Sequence, residues 1–187
     1  MRRRRVQALA RLRLTLAELD AMDDKGFEYA LSDLLIRDGW TASRVGGQGD
    51  QAADVIGRDP QRGRIVVQAK HTRIRGKVGS SVMFQVKGTA GPAHHADIAV
   101  VVTNGTFTRD ARAWGERLRV HWVDRDRLHA WAALGTPLHD VLRLPRCPTA
   151  RRPFVVCSGH GNQLRVISTV ASAEEAACQW SPAYATT

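Results

Sequence analysis

Apolar residues recur at a helical period early in the chain. Leu16 and Leu19 begin the pattern. Phe27, Leu31, Leu34 and Leu35 continue it at i, i+4, i+7 and i+8. Asp23 or Asp24 fits an N-cap for the second part, and Gly39 fits a stop. The period then shortens. Trp40–Val45 reads as a short strand, Gly46–Asp50 as a glycine-rich loop, and residues 53–70 as a hairpin. A loop spans His71–Gly79. Ser80 or Ser81 can cap a helix carrying Val82, Val86 and Ala90. Asp97–Thr103 is nearly continuous in apolar residues, as a strand buried on both faces requires. Thr106 or Thr108 opens a helix with Phe107, Ala111, Trp114 and Leu118 on one face. Val120–Val123 reads as a strand. Asp124 caps a last helix through Leu128, Trp131 and Leu134.

The order is α-β-β-β-α-β-α-β-α. Helices between the later strands imply crossovers, so the fold class is α/β with a mixed sheet. Residues 1–15 form a basic N-terminal segment, 16–145 one domain, and 146–187 an extension of unassigned role. In that extension Pro145, Pro148 and Pro153 punctuate a basic linker, residues 154–170 suggest a hairpin, and 171–178 a short helix.

The hairpin has a chemical consequence. Pro60-Gln-Arg-Gly63 separates two apolar runs as a turn. Pairing Asp59 with Gly63 across it places Asp54 opposite Gln68, on the same face. Side chains alternate along a strand, so Gln68 and Lys70 share that face with Val66. A carboxylate, an amide oxygen and an ammonium then converge. Such a patch can hold a divalent metal and a water beside a phosphodiester. A slip of one residue breaks the geometry.

Bulk properties narrow the partner. The chain has 187 residues and 43% hydrophobic residues, enough for one packed domain. No apolar run approaches the roughly 18–20 residues of a membrane span. Arg11 and Arg13 interrupt the apolar residues after the N-terminal arginines, which argues against a secretory signal and for the cytoplasm. Cys147, Cys157 and Cys178 form no C-x-x-C pair, and the seven histidines have no ligand spacing, so neither disulfides nor zinc are expected. Net charge is +10, which favours a polyanionic partner. Residues 20–145 hold 18 Lys and Arg against 15 Asp and Glu, so most of the excess lies at the ends. Of 28 basic residues 24 are Arg, a bias that genome composition can also produce.

Several stretches resemble the catalytic domain of Mrr-type restriction endonucleases, within the PD-(D/E)xK nuclease superfamily. They are Leu19-Asp-Ala-Met22 with Gly26-Phe-Glu-Tyr29, Gly49-Asp50 with Ala53-Asp54, and Val67-Gln-Ala-Lys70. Lys77-Val-Gly79, Gln85, and Val101–Thr108 with Ala111 follow in order. The resemblance covers roughly residues 16–135. Two departures stand out: Gln51-Ala-Ala53 fills a gap where the family often has glycine, and Ala69 stands where it often has cysteine.

The resemblance implies a restriction-endonuclease-like core and a Mg²⁺-dependent endonuclease acting on double-stranded DNA, and two-fold pairing as a homodimer would let two sites cut both strands. It points to Asp54 and Gln68 as metal ligands, joined by the backbone carbonyl of Ala69. Asp50, in a loop where aspartate commonly caps turns, ranks behind Asp54. Lys70 is the residue expected to orient water and offset charge on the phosphate. Glu28 lies about 100° around its helix from Phe27, at the margin of the buried face, where a second metal or water contact is implied. Arg73, Arg75 and Lys77 alternate along the loop after Lys70 and suit a DNA backbone. Gln85 is implied to face the site. The competing classes are a non-catalytic DNA-binding module on the same fold and a nuclease of repair or DNA junctions.

The charge distribution yields a prediction. Six arginines lie within the first 13 residues. If they touch phosphate, each contact adds roughly 0.9 to the slope of log affinity against log salt. A chain starting at Thr15 is then expected to bind duplex DNA more weakly and with a shallower slope by fluorescence anisotropy. An unchanged slope assigns the arginines to composition alone.

Overall fold

The computed structural model describes residues 2–45, 52–72 and 76–145. The Gly46–Asp50 loop, Arg73, Arg75 and everything assigned beyond Pro145 lie outside the described residues.

Caps set the first elements. Helix α1 is Arg2–Leu9 and α2 is Leu16–Asp20. Thr15 and Glu18 cap α2 reciprocally: Glu18 accepts from Thr15 N at 2.7 Å, and Thr15 Oγ1 accepts from Glu18 N at 3.2 Å. Helix α3 is Asp24–Arg37, opened by Asp23, whose carboxylate accepts from Gly26 N at 2.7 Å. The helical stretch is thus two helices, and Asp23 rather than Asp24 is the cap. Gly39 follows with φ +94°, a conformation that favours glycine.

Strands β1 (Thr41–Arg44), β2 (Val55–Asp59) and β3 (Gly63–Lys70) form an antiparallel meander. After β3 come β4 (Lys77–Val78), α4 (Ser81–Ala90), β5 (Ile98–Thr103), β6 (Thr106–Phe107) and α5 (Arg109–Leu118). The described part ends with β7 (His121–Val123), α6 (Arg125–Ala132) and α7 (Leu138–Val141). The main sheet has the order β1-β2-β3-β5-β7, with β3, β5 and β7 parallel. It is the mixed α/β sheet that the element order implies.

Two apolar layers sandwich this sheet. On one face Phe27, Leu31, Leu34 and Leu35 of α3 pack with Leu128 and Trp131 of α6 against Val55, Ile65, Val67, Val100 and Val102. On the other, Val82, Met83 and Val86 of α4 and Ala111 of α5 cover Ala99 and Val101. Strand β3 is therefore buried on both sides, which explains its unbroken apolar run Ile65–Val67. Polar side chains on its inward faces need partners within the fold.

The structure corrects several expectations. The loop after β3 contains a strand, β4, which pairs in parallel with β6. Phe107 belongs to β6 and not to a helix, and Thr108 is the cap of α5, accepting from Ala111 N at 3.1 Å. Ser80 precedes α4, but its hydroxyl makes no cap bond. Helix α6 stops at Ala132, so Leu134 lies beyond it and is 64% exposed. Helices α1 and α7 carry too short an apolar pattern to be read beforehand. No helix among the described residues is long and apolar enough to cross a membrane.

The buried pair Arg37–Asp38 ties α3 to the last helices. Asp38 accepts from Arg37 Nε at 2.8 Å, from Trp131 Nε1 at 2.7 Å and from Leu138 N at 2.7 Å. Burial pushes the Asp38 carboxyl above the usual range, and these hydrogen bonds oppose that shift. Removing one partner leaves Arg37 buried and unneutralised. Asp38→Ala is therefore expected to cost about 3–5 kcal/mol in a urea titration.

Candidate active site

The turn between β2 and β3 sets the register on which the site depends. Asp59 Oδ1 accepts from Gln61 N at 2.6 Å and from Arg62 N at 3.0 Å. Gly63 follows with φ +87°, and a Cβ there would meet Asp97 Oδ2 at 2.4 Å. Asp59 pairs with Gly63 and Val55 with Val67. Asp54 precedes β2 by one residue and extends both ladders. Its N–H donates to Val67 O at 3.0 Å, and its carbonyl accepts from Val45 N at 2.9 Å.

The carboxylate of Asp54 replaces the next step of the β2–β3 ladder. It accepts from Ala69 N at 2.6 Å through Oδ2. The same oxygen accepts a short hydrogen bond from Gln68 Nε2. Gln68 Nε2 also donates to Ala69 O at 3.2 Å. Asp54 and Gln68 are both buried. The hairpin therefore brings the Asp54 and Gln68 side chains together, as the register predicts, and adds the Ala69 backbone; no hydrogen bond or ion pair joins Lys70 to them.

The donor set fits a hard divalent cation. An amide N–H₂ group, the electropositive end of Gln68, stands between the Asp54 carboxylate and the Ala69 carbonyl. A cation would take over that electrostatic role. Rotating the amide by half a turn would present a third oxygen from the same side chain. Oxygen donors without sulfur or imidazole suit Mg²⁺ rather than zinc. Among the described residues no group of three or more His, Cys, Asp and Glu is placed to hold a metal. One protein carboxylate with neutral oxygens is a sparse site, in keeping with an ion that retains several waters.

Lys70 is the last residue of β3, two positions from Gln68 and paired in register with Thr103. It is half-buried, and its side chain makes no hydrogen bond or ion pair with a described residue. Glu28 sits on α3, where its carboxylate is held by Arg44 of β1 at 2.5 and 2.9 Å. That bond raises the Arg44 pKa further. Arg44 also lies 4.0 Å from the centroid of the Tyr29 ring. Glu28 thus has a structural partner that the sequence did not indicate. Lys77 is exposed on β4. Gln85 is exposed on α4 and makes no side-chain hydrogen bond among the described residues. Arg73, Arg75 and Asp50 lie outside the described residues.

One polar group beside the site has no sequence signature. Asn104, just past β5, bonds to Thr72, which stands two residues beyond Lys70. It also bonds to Asp20 at the end of α2, and Asp20 is gripped by Arg125 of α6. The Arg125 hydrogen bond holds the Asp20 carboxyl below the usual carboxylate range. These residues are separated by up to 105 positions, so no local pattern links them. Thr108, one of the two caps that the sequence offers for α5, does cap it, but nothing in the sequence marks Asn104.

A family model, Mrr_cat, described as a restriction endonuclease, matches residues 19–132. No curated protein matches. Among solved structures the chain is similar to AF1548, a protein of unknown function, with a TM-score of 0.50 and 16% identity over 63% of this chain and 66% of that one. It is also similar to the MspJI restriction endonuclease in complex with a 27-mer oligonucleotide, with a TM-score of 0.44 and 21% identity over 75% and 34%. A repair endonuclease from Pyrococcus abyssi gives 0.39 and 18% identity over 56% and 49%. The chain thus spans about two thirds of the first of these chains and half or less of the others. At 16% identity the likeness to the first of these concerns the fold alone.

The loop before Asp54 carries a local cost. Ala52 has φ +59°, in the left-handed region that favours glycine. It falls in the gap where the sequence departs from the resembling family. A non-glycine residue there costs roughly 1–2 kcal/mol, offset in part by the extra chain freedom of glycine when unfolded. Ala52→Gly is expected to leave stability unchanged or raise it by up to about 1 kcal/mol in urea. A clear loss would show that the Ala52 methyl contributes packing that outweighs its backbone strain.

Proposed function

Because the chain belongs to the restriction endonuclease family whose model spans residues 19–132, we propose that it is a divalent-metal-dependent endonuclease. It hydrolyses phosphodiester bonds of double-stranded DNA, in restriction of foreign or modified DNA. The observation that carries this reading is the convergence of Asp54, Gln68 and Ala69 at the start of the β2–β3 ladder, with Lys70 two residues on.

The roles follow from chemistry. Asp54, Gln68 and the Ala69 carbonyl would hold Mg²⁺. The ion, when bound, supplies Lewis-acid polarisation of the phosphate and a lowered pKa for water. Asp54 contributes the anionic ligand. Gln68 contributes a neutral oxygen, so metal affinity leans on the phosphate of the substrate. Lys70 orients the attacking water and offsets charge developing on the phosphate oxygens. Its ammonium is not neutralised by a described carboxylate, and that suits an incoming anion. Glu28 acts at one remove, through the Arg44 guanidinium it holds. Lys77 and Gln85, both exposed, together with Arg73 and Arg75, contact the duplex. Cutting both strands requires two sites, which a homodimer would supply.

A non-catalytic DNA-binding module on the same fold has no use for a buried carboxylate–amide pair beside a lysine. The two readings separate in one assay. Purified protein is incubated with modified and unmodified plasmid, with Mg²⁺ or with EDTA. Cleavage is expected only with Mg²⁺. Asp54→Ala and Lys70→Ala are each expected to lower the rate on the order of 10²-fold or more while the fold is retained. Full activity in either variant would falsify the site assignment. Gln68→Glu adds an anionic oxygen at the same reach. It is expected to keep activity and to shift the Mg²⁺ titration to lower concentration. A folded but inactive Gln68→Glu protein would mean that the amide donates an essential hydrogen bond.

A further inference from the structure

Strands β3 and β5 pair in parallel from Ile65↔Ile98 to Lys70↔Thr103, and Lys70 is the last residue so held. Beyond it β5 ends. The turn is locked by Gly105 N, which donates to Thr103 Oγ1 at 3.0 Å. The backbone that follows Lys70 therefore loses its strand partner at the point where the side chain must be aimed.

The side chain of Asn104 takes over that pairing. Its Oδ1 accepts from Thr72 N at 2.8 Å, and its Nδ2 donates to Thr72 O at 2.9 Å. Both backbone groups of Thr72 are thus engaged, as they would be in a ladder. The Thr72 hydroxyl adds a bond to the same Oδ1 at 3.1 Å. Asn104 is only 1% exposed, so water cannot replace these bonds.

The orientation of the amide is itself fixed. Nδ2 donates to Asp20 Oδ1 at 2.9 Å, and a carboxylate can only accept, so the nitrogen must lie on that side. Asp20 is gripped in turn by a two-pronged Arg125, at 2.9 and 2.7 Å. Arg125 Nη1 also donates to the backbone carbonyl of Asn104 at 2.9 Å. The packing leaves no slack: a Cβ on Gly105 would lie 2.6 Å from Thr72 Oγ1 and 2.3 Å from Gly76 O. On the opposite face the intervening residue, His71, is itself braced. Its ring lies 5.1 Å from that of Phe27, and its Nε2 lies 3.1 Å from Leu19 O.

We infer that Asn104 is a positioning residue for Lys70: held by Asp20 and Arg125, its amide continues the β3–β5 ladder past the last strand pair and fixes the backbone that aims the Lys70 ammonium. The inference rests on the catalytic reading of Lys70 above. The Lys70 side chain makes no hydrogen bond or ion pair with a described residue, so its placement is set by the backbone on either side. The β5 ladder secures the preceding side, and Asn104 secures the following one.

The test uses the full-length protein with Mg²⁺ and duplex plasmid. A displacement near 1 Å can cost on the order of 10²-fold in rate. Asn104→Ala is expected to lower kcat by about 10- to 10²-fold, with KM for duplex changed by less than about threefold. It is also expected to speed hydrogen exchange at the Thr72 amide. Combined with Lys70→Ala, it should cause no further loss of the residual rate, because its effect passes through Lys70. A merely structural role predicts the same fractional loss in both backgrounds, and that outcome overturns the inference. So does an unchanged kcat in Asn104→Ala, or unchanged exchange at Thr72. A fully active Lys70→Ala protein would instead overturn the reading of Lys70 itself. If Asn104→Ala does not fold, Asp20→Asn carries the same cycle, because its amide still accepts from Asn104 but loses the ion pair to Arg125.

Discussion

The position of Asp54 depends on a turn five residues away. Asp59 closes that turn by accepting two backbone N–H groups, and Gly63 completes it in the left-handed region. A strand has a period of two, so a slip of one residue would turn Asp54 away from Gln68 and carry a polar flanking residue, Arg64 or Gln68, into a position that Ile65 or Val67 now fills. Burial on both faces of β3 penalises every such slip at Ile65, Val66 and Val67 together. The apolar layers on the sheet therefore hold the polar site in register. Asp54 adds its own restraint by taking the Ala69 N–H that would otherwise lack a ladder partner.

The site lies where the sheet changes character. Strands β1 to β3 run antiparallel, and β3, β5 and β7 run parallel. Strand β3 belongs to both halves. Its antiparallel neighbour brings in Asp54, and its parallel neighbour brings Thr103 and Asn104 beside Lys70 and Thr72. No other strand of the described sheet joins the two patterns. Residues distant in the chain thus meet at the carboxyl end of one strand.

Several arginines among the described residues serve structure. Arg37 neutralises Asp38 in the interior, Arg44 holds Glu28, Arg62 pairs with Asp59, and Arg125 grips Asp20. Each of these pairs joins segments or closes a turn. Arg37, Arg44 and Arg125 are held by planar, multi-donor contacts that lysine cannot reproduce. The positive charge of the domain is therefore a poor guide to a nucleic-acid face.

Local signals were legible wherever the deciding interaction was local. The N-cap of α3 at Asp23, the cap of α6 at Asp124 and the two-sided apolar run of β5 all involve neighbours within a few residues. The Asp54–Gln68 contact was legible for the same reason, since one short turn fixes a hairpin register. Strands β4 and β6 were not, because two-residue strands have no period and exist only through their mutual pairing. The Arg44 partner of Glu28 and the Arg125–Asp20–Asn104–Thr72 group were equally hidden. Their members lie on separate elements and meet only after helices pack onto the sheet. The sequence by itself determined the alternation of elements, the hairpin and the residues that form the candidate site. Only the tertiary structure decided which charged and amide groups surround that site, because such bonds form between faces whose approach is set by the packing of the whole core.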